Sequence, residues 1–161
     1  MNLVVIGVAH TPYKEQQGTP IAPVFAEGAP ASLEIFPEYR AGLADLNGFQ
    51  RLWVLSWLDR AKGYELLTVP YRDTVKRGVF ATRAPRRPNP IGLSCVEVEN
   101  MDIEGGIISV RGIDLLDGTP ILDLKPYIPK ADAFPESRAG WFDQSLEVEK
   151  ADDRFGNRGD A

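Results

Sequence analysis

The run Arg51-Leu52-Trp53-Val54-Leu55-Ser56-Trp57-Leu58 is the segment of the chain that most strongly predicts a β-strand. It is rich in aromatic and aliphatic side chains, which suit a pleated surface. Apolar residues occupy both of its alternating faces, a pattern typical of a strand covered on two sides. We therefore expect this strand at the centre of a sheet or barrel.

Shorter strand-like segments lie on either side of this run. Strands are predicted over 2–8, 32–36, 78–82, 93–99, 107–116 and 120–128, with one helix over 37–46. Asp117-Gly118, between the last two strands, is a typical two-residue hairpin turn. Many short strands with turn-rich connections predict a mainly β fold, a small antiparallel β-barrel or sandwich with one or two short helices.

Length and composition indicate one globular domain. The chain has 161 residues, 43% hydrophobic and 25% charged, which is ordinary for a soluble protein. We place the folded domain at 1–145 and expect the C-terminal tail, 146–161, to be disordered.

Several classes of protein are not expected. No apolar run is long enough to span a bilayer, and no basic region precedes the apolar N-terminus, so we predict a cytoplasmic protein without a membrane segment. A single cysteine, Cys95, and a single histidine, His10, argue against a disulfide or a Cys- or His-rich metal site.

The charges are unevenly distributed. A net charge of −5 does not favour a nucleic-acid partner, because phosphate contacts need basic side chains. Between Arg72 and Arg87, however, six basic residues accompany a single acid, Asp73. This local basic run is compatible with nucleic-acid binding on an otherwise acidic protein.

The segment from Gly78 to Ser94 combines prolines with arginines. Pro85, Pro88 and Pro90 fix their own φ angles and favour extended conformations at the preceding residues. A rigid segment of this kind holds its guanidinium groups at little entropic cost, which suits a phosphate, a carboxylate or a stacked base. On residue types alone, a solvated basic turn is an equal alternative.

A second candidate site lies on the last two predicted strands. Asp123, Lys125 and Tyr127 alternate and therefore share one face, where they offer a carboxylate, an ammonium and a phenol. Asp114 stands between apolar neighbours, and a carboxylate is costly to bury there without a partner. The alternative is that this polar face simply meets water.

Two further segments are weaker candidates. Asp59-Arg60 directly follows the central strand and either lines a crevice or ends the strand at the surface. Pro23-Val24-Phe25 lies in a long proline-rich loop, where its apolar side chains either cover an adenine ring or pack on the core.

The Gly78–Ser94 segment, with other motifs, resembles the TsaA/TrmO family. The other motifs are Ile6-Gly7, Pro12-Tyr13-Lys14, Leu52-Trp53, Asp117-Gly118-Thr119-Pro120 and Asp123-x-Lys125-Pro126-Tyr127. The similarity runs in order from about residue 3 to about residue 142. It implies a small β-barrel methyltransferase, usually a homodimer, with S-adenosylmethionine held near the subunit interface. The implied substrate is tRNA, methylated at N6 of N6-threonylcarbamoyladenosine beside the anticodon.

The resemblance also implies which residues form the site. Cofactor contacts are expected from Pro23, Val24, Phe25, Asp59, Arg60, Arg83, Leu93, Ile113, Asp114, Leu115 and Leu116. Catalytic roles are assigned to Asp114, Asp123 and Tyr127, the two aspartates being the candidate bases. Substrate binding is assigned to Arg86, Arg87, Asn89 and Lys125, and no metal is expected.

Three departures from the family pattern concern the acceptor. Longer relatives continue into an additional C-terminal domain, Asp59 stands where histidine is common, and Ala84-Pro85-Arg86 replaces a Ser-containing stretch. The alternatives to a tRNA enzyme are therefore a methyltransferase that uses the same cofactor on a smaller acceptor, and a non-catalytic S-adenosylmethionine-binding regulatory module.

Overall fold

The computed structural model describes residues 2–26 and 28–156. The strands are β1 (Gly7–His10), β2 (Pro30–Ile35), β3 (Arg51–Trp57), β4 (Leu67–Thr68), β5 (Arg77–Gly78), β6 (Ile91–Asp102), β7 (Ile107–Arg111) and β8 (Thr119–Pro126). The helices are α1 (Pro129–Asp132) and the 3₁₀ turns Pro23–Phe25, Pro37–Leu43, Val79–Ala81 and Gly140–Gln144. Within the described ranges, no helix has the length and hydropathy needed to cross a bilayer.

Six of the strands close into an antiparallel barrel. Their order is β1-β2-β7-β6-β3-β8, and β8 pairs back onto β1. The central strand of the prediction, β3, pairs along its whole length with β6 and also with β8. The prediction of a small antiparallel β-barrel with few helices is confirmed.

The core lies inside the barrel. On β3, the side chains of Leu52, Val54 and Ser56 are fully buried, whereas Trp53, Leu55 and Trp57 are half-buried on the outside. Both faces of β3 are apolar, as predicted, but only the inner one is sealed from water. The other strands contribute to the same core through Ala9, Leu33, Ile35, Val96, Ile108, Val110 and Ile121.

The predicted hairpin at Asp117-Gly118 is wrong. Strands β7 and β8 are not neighbours, because two strands separate them in either direction around the barrel. Residues 112–118 instead cross one end of the barrel, a segment we call the crossover. The crossover buries the side chains of Ile113 and Leu115 in the core, where a hairpin at the rim would leave them in water.

Two other elements differ from the prediction. Residues 79–81 form a 3₁₀ turn rather than a strand, which buries Val79 and leaves Phe80 in solvent. The helix predicted over 37–46 is a 3₁₀ helix over Pro37–Leu43, anchored by the buried side chain of Leu43.

The C-terminal segment 146–156, which we call the strap, is ordered where sequence composition predicted disorder. It runs antiparallel to residues 18–21, with Gly18 N donating to Ala151 O (2.8 Å), Ala151 N to Thr19 O (2.8 Å) and Ile21 N to Glu149 O (2.9 Å). Ala151 and Phe155 are buried. Backbone pairing and these apolar anchors therefore fix the strap, and the rest of the predicted tail, 157–161, lies outside the described residues.

Candidate functional site

A cavity of about 830 Å³ lies beside the crossover. The end of the barrel lines it through Leu58, Asp59, Arg60, Gly92, Leu93, Ser94, Asp114, Leu115, Leu116 and Thr119. Residues 82–90, which we call the proline–arginine segment, contribute Thr82, Arg83, Ala84, Pro85, Arg87 and Asn89. The loop from Lys14 to Ala22, with Tyr71 and the strap residues Ala151, Asp153, Phe155 and Gly156, forms the remaining wall. The volume of the whole cavity suits a cofactor-sized ligand.

Asp114 places a carboxylate in this cavity from the crossover. The buried Ser94 hydroxyl on β6 donates to Asp114 Oδ1 at 2.5 Å. Burial raises the pKa of Asp114 to about 6, against the opposing effects of the Ser94 hydrogen bond and the positive charge of Arg83. The group is thus ionised above about pH 6, where it can accept a proton or a hydrogen bond.

Asp59 and Arg60 lie at the mouth of the cavity, where β3 ends. Arg60 Nη2 donates to Asp117 O at 2.5 Å, so its side chain reaches the end of the crossover. Leu58 N donates to Pro90 O at 2.7 Å and joins the end of β3 to the proline–arginine segment. The reading of Asp59-Arg60 as crevice-lining is therefore favoured over a simple end to the strand.

The three arginines of the proline–arginine segment make different contacts. Arg87 Nη1 donates to the carbonyl oxygens of Thr82 (3.0 Å) and Ala84 (3.2 Å), which braces the turn. Arg86 Nη2 donates to Gly156 O in the strap, at 2.5 Å, and Arg86 does not line the main cavity. Arg83 is exposed and lines the cavity. Arg83 is consequently the arginine best placed for a ligand's carboxylate or phosphate.

Pro23, Val24 and Phe25 form a 3₁₀ turn that adjoins the crossover but does not line the cavity. Val24 is 80% exposed. The guanidinium of Arg72 lies over the Phe25 ring, 5.6 Å from the ring centroid. Ile113, the other cofactor candidate outside the cavity, is buried in the core.

Asp123, Lys125 and Tyr127 share a face, as predicted, but that face is on the outside of the barrel. Lys125 Nζ lies 2.7 Å from Asp123 Oδ2, and the Tyr127 ring packs edge-on against Trp53 with centroids 5.6 Å apart. A register shift between Leu55 and Ser56 accompanies this arrangement on β8. Within one chain, therefore, the structure brings Asp114 into the cavity and leaves the other two catalytic candidates outside it.

The outer surface of β3, β6 and β8, which we call the outer face, is largely apolar. Cross-strand partners share a face of a sheet, and the pairs are Trp57 with Ile91, Leu55 with Leu93, Leu55 with Asp123, and Trp53 with Lys125. Leu93 is 53% exposed and Ile91 41% exposed. Both also line the cavity, so the outer face and the cavity meet at β6.

Sequence reasoning missed several residues that line the cavity. Gln16, Tyr71 and Phe155 come from segments interpreted as irregular or disordered. Gln16 Nε2 donates to the Tyr71 hydroxyl, and burial raises the pKa of Tyr71 to about 12. No local sequence pattern signals this group, because it forms only when the strap packs on the loop.

Among the residues that the structure describes, no group of three or more His, Cys, Asp or Glu side chains is arranged to hold an ion.

A family model described as the tRNA-methyltransferase O N-terminal domain matches residues 8–133. The chain belongs to the tRNA-methyltransferase O family. The TsaA/TrmO resemblance is thereby confirmed. The family match ends at residue 133, so the strap lies outside it.

Family relatives are similar over most of this chain. A probable S-adenosyl-L-methionine-binding protein of Pyrococcus abyssi is 43% identical over 149 residues, covering 92% of this chain and 80% of the relative. The tRNA (adenine(37)-N6)-methyltransferase of Escherichia coli K12 is 34% identical, covering 91% of this chain and 66% of the relative. The crystal structure of TrmO from Pseudomonas aeruginosa superposes with a TM-score of 0.73 at 37% identity, covering 87% of this chain and 61% of that one.

Proposed function

We propose that this protein is a cytoplasmic S-adenosylmethionine-dependent methyltransferase that modifies N6 of N6-threonylcarbamoyladenosine at position 37 of tRNA. One observation carries the proposal: the family barrel has a cofactor-sized cavity lined by the buried carboxylate of Asp114 together with Arg83 and Leu93. The relatives named for binding S-adenosyl-L-methionine and for methylating adenine 37 support it.

The cavity has the mixed chemistry that S-adenosylmethionine requires. Apolar side chains for the adenine ring come from Leu58, Leu93, Leu115 and Leu116. The carboxylates of Asp59 and Asp114 suit an ammonium group or ribose hydroxyls, and the guanidinium of Arg83 suits a carboxylate. A zwitterionic nucleoside with an apolar base fits this set of residues.

Positioning is the main task of the residues around the cavity. When bound, S-adenosylmethionine supplies the methyl carbon, whose bond to sulfur breaks as its bond to the acceptor nitrogen forms, leaving S-adenosylhomocysteine. The chain's own contribution is to hold the two reactants in line. Asp114 accepts the proton that N6 loses, because its carboxyl group is ionised above about pH 6.

Asp123, Lys125 and Tyr127 need a second subunit to reach an active site. We propose a homodimer formed through the outer face, where exposed Leu93 and Ile91 adjoin the cavity. Dimerisation through this face puts the three polar residues at the interface, beside the cofactor site. Their proposed roles in catalysis and substrate binding depend on that assembly.

A methylation assay tests the proposed function. The protein is incubated with labelled S-adenosylmethionine and tRNA carrying the threonylcarbamoyl group, and the nucleosides are analysed by mass spectrometry. We expect an N6-methylated form of the modified nucleoside, and none with tRNA that lacks the threonylcarbamoyl group. Cofactor binding without any transfer to tRNA contradicts the proposal.

The net charge of −5 supports one alternative, a smaller acceptor than tRNA. Competition with unmodified tRNA distinguishes a tRNA acceptor from a smaller one. An excess of unmodified tRNA leaves methylation of a small acceptor unchanged, whereas it slows methylation of modified tRNA by competing for the same surface.

A further inference from the structure

We infer that the cavity wall formed by Gln16, Tyr71 and the strap is the binding site for the acceptor base, with the Tyr71 ring, supported edge-on by Phe155, as its stacking surface. This inference rests on the proposed function and assigns a place to its second reactant. It gives a role to a segment that lies outside the family match.

The strap side of the cavity is a connected structure. Gln16 donates to the Tyr71 hydroxyl, and the Tyr71 ring meets the Phe155 ring edge-on, with centroids 5.0 Å apart and planes at 83°. The Arg154 guanidinium lies 5.4 Å from the Tyr71 centroid, and its Nη1 donates to Pro70 O at 2.7 Å. Phe155 is only 8% exposed, whereas Tyr71 is half-buried, so the Tyr71 ring is the one with accessible surface and Phe155 supports it.

Aromatic rings are concentrated in this wall. Among the described residues that line the cavity, Tyr71 and Phe155 are the only aromatic ones. Proteins that act on an extruded nucleotide read the base by stacking it on aromatic side chains and by hydrogen bonds to its edge. The Gln16 amide, which carries both a donor and an acceptor, is the adjacent group for such edge contacts.

The cofactor candidates leave this wall unassigned. Those that line the cavity come from the end of β3, the proline–arginine segment, β6 and the crossover, and none comes from the loop or the strap. A methyl transfer needs a second ligand in the same cavity, in contact with the first. The wall formed by the loop from Lys14 to Ala22, Tyr71 and the strap contains no cofactor candidate, so we assign the second ligand to this wall.

The strap is also tied to the basic run. Arg72 Nε donates to Leu146 O and Arg86 Nη2 to Gly156 O, each at 2.5 Å. Two arginines of the run therefore hold the strap in position. The strap thus fixes Phe155 at the cavity while adjoining the surface that carries the local positive charge.

Phe155→Leu tests the stacking role, because leucine keeps apolar packing but removes the ring that supports Tyr71 edge-on. We expect the KM for modified tRNA to rise about tenfold, since one base–aromatic stack is worth about this much. The Kd for S-adenosylhomocysteine, measured by calorimetry, should stay within about twofold of the wild type. Circular dichroism melting confirms that the variant is folded.

A second pair of variants keeps the test independent of strap packing. Gln16→Met removes the amide and should also raise the KM for tRNA without changing S-adenosylhomocysteine binding. Gln144→Met, an exposed glutamine outside the cavity, is the matched control and should change neither.

The outcomes separate the inference from the proposed function. Unchanged KM values in both Phe155→Leu and Gln16→Met overturn the inference, and so does weaker S-adenosylhomocysteine binding with an unchanged KM, because the wall then holds the cofactor. A wild-type protein that binds S-adenosylhomocysteine yet methylates no tRNA contradicts the proposed function itself.

Discussion

Asp114 shows how one buried carboxyl group links stability to chemistry. Its pKa rises from 3.8 to about 6 because folding removes it from water. Between these values the folded state binds more protons than the unfolded state, so the contribution of Asp114 to stability falls as the pH rises from about 4 to about 6. Keeping the Asp114 carboxylate ionised in the cavity therefore costs the protein some stability at neutral pH.

Asp114→Asn removes this cost. We expect the variant, without cofactor, to gain stability relative to the wild type as the pH rises from about 4 to about 7, by up to about 3 kcal/mol. Urea unfolding at several pH values measures the difference. A difference that does not change with pH contradicts the raised pKa.

At the level of single residues, the sequence singled out some of the residues that line the candidate cavity and missed others. Asp114 is recognisable because its apolar neighbours imply burial, and Arg83 because prolines stiffen its segment. Tyr71 and Phe155 carry no such signal, since their contact joins residues far apart in the chain. Asp123 does share a face with Lys125, as the alternation of residues predicted. That alternation does not show whether the shared face lies inside or outside a closed barrel.

Close packing between β1 and β2 favours glycine at position 7. A Cβ at this position lies 2.2 Å from the backbone oxygen of Glu34, which no side-chain rotation can relieve. Gly7→Ala should therefore lower the free energy of unfolding by about 1–3 kcal/mol. Gly42→Ala, where nothing lies within 4 Å of the added atom, is the control and should be neutral or slightly stabilising. Equal stability of the two variants in denaturant unfolding would refute this reading of the β1–β2 contact.

At the scale of secondary-structure elements, local sequence patterns predict some features of the fold and not others. β3 was predicted well because a buried strand carries its pattern within seven residues. Asp117-Gly118 makes a turn in either setting, so its sequence does not distinguish a hairpin from the observed crossover. The observed crossover buries Ile113 and Leu115, a long-range contact that the local sequence does not show. The strap was missed for a related reason, because its order depends on backbone pairing with Gly18–Ile21.

For the whole molecule, the half-buried outer face accounts for the proposed assembly. Leu55→Lys places a charge among Leu93, Trp53 and Trp57, where the proposed dimer interface would exclude water. We expect the wild type to sediment as a dimer and this variant as a folded monomer with weaker methyl transfer. A wild type that remains monomeric at high micromolar concentration contradicts the dimer and the roles proposed for Asp123 and Tyr127.

The most direct test of the central claim is calorimetric titration of the full chain with S-adenosylhomocysteine. The cavity beside the crossover predicts saturable binding of one ligand per chain, and at least about tenfold weaker binding in Arg83→Ala, because that variant loses a charged contact. Lys62→Ala, an exposed cation outside the cavity, should bind like the wild type. Absence of binding by the folded wild type, or full affinity in Arg83→Ala, would contradict the account.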